Sequence, residues 1–170
     1  MRLRALSTLF ILALTVDGVV GEKSEVSDVR RVYKEVQAAL SHATLVRRER
    51  RFDYCEPYED ASRDLYTSSS GVPRLYVREG GSDDSAVTSS YYYDDRGRLR
   101  FVFIKCGAVN GTQIEHRIWL AIDGRRIREQ RKLLEGPGYT FPDPWPEESL
   151  VKDPQQAFSA THPCRPLTGE

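Results

Sequence analysis

The sequence predicts an α+β fold, with one N-terminal amphipathic helix packed on an antiparallel meander sheet of four or five strands, and three observations carry that reading. Residues 91–134 read as successive strands separated by Asp95-Arg96-Gly97, Asn110-Gly111 and Asp123-Gly124, which supply residues that tolerate the positive φ of tight hairpin turns. Upstream, Val26, Val29, Val32, Tyr33, Val36, Leu40 and Ala43 recur at helical spacing and give one apolar stripe. From Gly136 onward, prolines alternate with Tyr139, Phe141 and Trp145, a pattern that disfavours both helix and central strand.

The hairpins constrain one another. A two-residue turn at Asn110-Gly111 sets Leu99 opposite Ile122, Phe101 opposite Leu120 and Phe103 opposite Ile118. A three-residue loop at Asp95-Arg96-Gly97 sets Tyr93 opposite Leu99 and Tyr91 opposite Phe101. Strand side chains alternate, so both turns place these residues on one apolar face, which a one-residue slip would destroy. The reverse face carries Arg100, Val102, Ile104, Arg117, Trp119 and Ala121 and is mixed. After Asp123-Gly124 the segment RRIREQRKLL is rich in arginine, with Ile127 and Leu133 at core-side parity, and its charge suits a sheet edge.

Taken in order, residues 1–21 read as a signal peptide. Arg2 and Arg4 precede an apolar run that is too short for an ordinary transmembrane helix, and Val19-Val20-Gly21 offers small residues for cleavage. Residues 22–146 form a single α+β domain. Ser24 or Ser27 would cap the helix, and the basic run at 47–51 suits its C-terminal end. Residues 52–70 read as a loop with a helical turn near 60–65, and 74–79 and 86–93 as strands joined by a flexible Gly80-Gly81-Ser82-Asp83-Asp84. Residues 147–170 form a C-terminal tail with one short helix near 153–159.

Twenty-five basic and twenty-five acidic residues cancel, and a balanced surface argues against nucleic acid as the partner. Of three cysteines, Cys55 and Cys164 lie in irregular segments, and their pairing would tether the tail and leave Cys106 as a buried strand thiol. No pair of cysteines or histidines stands at metal-ligand spacing, no nucleophile adjoins a base in a recognisable motif, and no cofactor is implied. The two-residue turns would align Lys105, His116 and Arg131 across one end of the apolar face, an arrangement suited to a carboxylate or other anion. Tyr139, Phe141 and Trp145 are the alternative recognition surface, as an extended aromatic strip for a partner. Asn110-Gly111-Thr112 also matches an N-glycosylation acceptor, although the hairpin already accounts for Asn-Gly.

Tyr93-Asp94-Asp95-Arg96-Gly97-Arg98-Leu99 resembles one unit of the tyrosine-aspartate repeats of large bacterial surface and toxin proteins, which implies a β-hairpin and no function. The helix followed by a meander sheet resembles cystatin-like and nuclear-transport-factor-like architectures, and fold alone assigns no activity. The expectation is a secreted or periplasmic, non-catalytic binding or structural module for a protein or cell-envelope partner, with no membrane anchor after cleavage. The alternative is a small-molecule carrier or hydrolase with a pocket between helix and sheet near Lys105, His116 and Arg131.

Overall fold

The computed structural model describes residues 17–53, 55 and 60–167. One long helix, α1 (Asp17–Ser41), precedes seven strands: β1 (Val46–Arg51), β2 (Asp60–Thr67), β3 (Pro73–Ser82), β4 (Ser85–Tyr93), β5 (Leu99–Ala108), β6 (Gln113–Leu120) and β7 (Arg126–Glu135). A 3₁₀ turn (Glu147–Ser149) and a short helix α2 (Pro154–Ser159), capped by the Asp153 carboxylate, follow in the tail. The strands form one antiparallel sheet in chain order, β1 through β7. Seven strands, not four or five, correct the expected cystatin-like or nuclear-transport-factor-like sheet. Among the described residues no helix is long and apolar enough to cross a membrane.

The two additional strands come from segments read as a helix end and a loop. Ala43 adopts left-handed backbone (φ 52°), and the amides of Ala43 and Thr44 donate to the carbonyls of Leu40 and Ala39. These bonds satisfy the last helical carbonyls and turn the chain. The basic run at 47–51 therefore leaves the helix and becomes β1, an edge strand whose Arg47 and Arg51 reach buried Asp64 of β2. Ser24 and Ser27 lie inside α1 and do not cap it.

Four connections are built alike. Ser68, Asp94, Ala108 and Ala121 each donate their amide to the carbonyl four residues on, while Gly71, Gly97, Gly111 and Gly124 donate back with φ between 75° and 86°. Each is a three-residue loop closed by a positive-φ glycine. The expected two-residue turns at Asn110-Gly111 and Asp123-Gly124 are thus one residue longer. Phe101 consequently pairs with Trp119, Val102 with Ile118 and Ile104 with His116. A bulge at Tyr92/Tyr93 keeps Tyr93 opposite Leu99 but moves Tyr91 opposite Val102.

These shifts divide the expected single apolar face into two. Phe101 and Trp119 join Leu75, Tyr92, Val26, Val29 and Val36 in a core between the sheet and α1, with Phe103 packed at its margin. Tyr91, Tyr93, Leu99, Ile118 and Leu120 lie on the other face with Val102, Ile104, Cys106 and Ile114. The tail covers that second face: Trp145, Leu150 and Phe158 are buried against it, and the hydroxyls of Tyr91 and Tyr93 donate to the carbonyls of Ser149 and Val151. Ile122, expected in the core, is 58 % exposed in its loop. Cys55 and Cys164 form a disulfide across 109 residues, and Cys106 is a free buried thiol. Edge strand β7 is charged as the sequence indicates.

Candidate functional site: an arginine-rimmed aromatic groove

The longer loops separate the residues expected to act together. Lys105 stands opposite Glu115, and its Nζ lies 5.6 Å from the centre of the Phe103 ring, on the α1 side. His116 pairs with Ile104 on one side and Arg131 on the other, facing the tail. His116 and Arg131 are therefore brought together and Lys105 is not.

His116 is 1 % exposed, and its Nε2 lies 2.5 Å from Glu129 Oε1. The same carboxylate oxygen accepts the Trp145 amide at 2.7 Å, while Arg126 donates to Glu129 Oε2 and to the Trp145 carbonyl. Arg126 and Glu129 share a face despite being three residues apart because the register shifts at Trp119/Leu120, leaving Ile127 bulged toward α1. Burial raises the Glu129 carboxyl, but the Trp145 amide, Arg126 and His116 together hold it below its ordinary value. His116, Glu129 and Asp143 place three ligand atoms within 4.8 Å of one another, which could hold a metal ion. Both Glu129 oxygens, however, already accept from protein donors, and Arg131 Nε stands 3.9 Å from Asp143. A divalent cation there would face two guanidinium charges. The cluster is a charge-satisfied clasp holding the tail to β6 and β7.

The tail aromatics serve the same attachment. Trp145 is 9 % exposed and meets His116 edge-on with ring centres 5.7 Å apart. Phe141 packs on the core and against Tyr139, whose hydroxyl donates to Asp84 at 2.5 Å.

A concavity of about 290 Å³ opens on the other face, between α1 and β5–β7. Its floor is aromatic: Phe101 and Trp119 lie 5.4 Å apart, Tyr33 stands edge-on to Phe101 at 5.6 Å, and Phe103 continues the row. Arg30, Arg117 and Arg128 rim it, with Gln130 beside them. Arg117 lies over Phe103 at 5.4 Å and Arg128 over Trp119 at 5.3 Å, contacts in which each cation meets the electron-rich ring face. Arg117 is also paired with Glu115. Among the described residues, no carboxylate lies within ion-pair distance of Arg30 or Arg128. The described lining contains no histidine, cysteine, serine or carboxylate, and Tyr33 supplies its hydroxyl. The shifted register was the missing signal: once Phe101 pairs with Trp119, Phe103, Arg117 and Arg128 follow onto the same face.

Comparison of the chain with protein-family models, with curated proteins and with solved structures gives no match.

Proposed function

We propose that the chain is an exported, non-catalytic binding module of the periplasm or cell exterior that recognises its target in the groove between α1 and β5–β7. The carrying observation is an aromatic floor ringed by arginines, in which Tyr33 and Phe103 are accessible beside the largely buried Phe101 and Trp119, because concave apolar surface with a few fixed polar groups is the usual composition of a recognition site. The signal-peptide pattern of residues 1–21 and the Cys55–Cys164 disulfide support export. The position of the groove between helix and sheet favours the small-molecule carrier among the alternatives.

The test uses full-length chain expressed with its own leader and recovered oxidised. Native mass spectrometry for a co-purifying small molecule is combined with capture from envelope extract, for the wild type and Phe103→Asp. Circular dichroism confirms that the variant folds. Loss of a retained species in the variant supports the groove as the site. An identical retained set in both proteins overturns it.

A further inference from the structure

We infer that the groove takes a small organic anion with a flat apolar body, its hydrocarbon part on the Phe101, Phe103 and Tyr33 rings and its acid group between Arg30 and Arg128; this deepens the binding-module reading and rests on it.

Three observations lead to this ligand class. The volume of about 290 Å³ lies at the bottom of the range for small-ligand sites and accommodates one or two fused rings. The charge of the rim is unbalanced, because Arg117 has Glu115 but Arg30 and Arg128 have no carboxylate at ion-pair distance among the described residues. That imbalance is local, since the whole chain carries equal numbers of acidic and basic residues. Finally, Arg128 lies over Trp119, and a guanidinium resting on an aromatic ring loses little freedom when its N–H fork meets a planar acid.

A neutral aromatic molecule would gain the floor but leave the rim unused. A small inorganic anion would gain the rim but leave the accessible Tyr33 and Phe103 rings uncovered. Only a molecule with both parts uses the whole groove.

The experiment titrates oxidised, full-length protein with 2-naphthoate and, separately, with uncharged 2-naphthalenemethanol, by calorimetry and by the indole N–H signals in proton–nitrogen spectra. Naphthoate should bind at least about tenfold more tightly than the alcohol, and the preference should shrink at high salt as exposed charges are screened. Arg128→Gln and Arg30→Gln should each remove most of that preference while leaving the alcohol's affinity unchanged. Arg48→Gln, on β1 away from the groove, should change neither. Equal affinities for the two probes, both lowered by Phe103→Ala, would overturn the anion class while sparing the groove. Absence of binding by either probe would overturn the ligand class, and identical retention by wild type and Phe103→Asp would separately remove the groove.

Discussion

Glu129 is the residue on which the tail attachment turns. One carboxylate links a buried histidine, a backbone amide of the tail and an arginine that itself reaches the tail. Hydrogen bonds to a charged group contribute about 1.5–3 kcal/mol each, so Glu129→Gln should destabilise the protein by an amount of that order, read by urea unfolding at neutral pH. The pH sense follows from its lowered carboxyl. The stabilisation is complete above the ordinary carboxylate range and is lost as pH falls through the lower native value, because protonation then favours the unfolded chain. A series of unfolding curves from pH 7 into the acid range should show wild type losing more stability than Glu129→Gln. Cys106 behaves oppositely: burial pushes its thiol up to about 11, so it stays protonated at neutral pH. Alkylation by iodoacetamide at pH 8 should be slow in the native protein and rapid after unfolding; equal rates would contradict its burial.

At the scale of elements, the four glycine-closed loops set the register and thereby decide what each face contains. Gly111 holds φ 81° in open space, so Gly111→Ala meets no clash and isolates the backbone effect. Left-handed backbone disfavours an L-residue by about 1–2 kcal/mol, and thermal unfolding should report a loss of that size. These loops also explain how much was legible in the sequence. The helix stripe, the hairpin positions, the charged edge, the short tail helix and the favoured disulfide were all readable from pattern and turn chemistry. The register was not, because Asn-Gly fits both a two-residue turn and the last two positions of a three-residue loop, and the two differ by one residue. That residue sends Lys105 and His116 to opposite faces and hid the groove. The boundary at Ala43 was hidden for a related reason: the helix ends in left-handed backbone without the glycine or asparagine that usually marks it. With no stop signal, the basic run at 47–51 reads as a continuation of the helix, and its pairing with β2, with Arg47 and Arg51 reaching Asp64, is a contact that sequence spacing does not reveal.

Across the whole molecule, a sheet in chain order is closed by a distant covalent link. Residues 165–167 run beside the end of β1, with the Asp53 and Leu167 amides donating to the carbonyls of Arg165 and Arg51, and the disulfide lies next to this pairing. Closing a loop of 109 residues restricts the unfolded chain by about 4–5 kcal/mol in the chain-entropy description. Cys164→Ser should therefore lower unfolding stability by a few kcal/mol, read from the denaturant midpoint, whereas a negligible shift would mean that the tail holds without it. The chain order of the strands also carries a consequence for assembly. Each hairpin can form from residues already made, so the sheet can zip from β1 toward β7 while the last residues are still being synthesised. Cys55 must wait for Cys164, and during that wait Cys106 is the nearer thiol along the chain. Cys106 lies on the face that the tail covers, so this competing thiol is withdrawn only as residues 145–158 dock, just ahead of Cys164 in the chain.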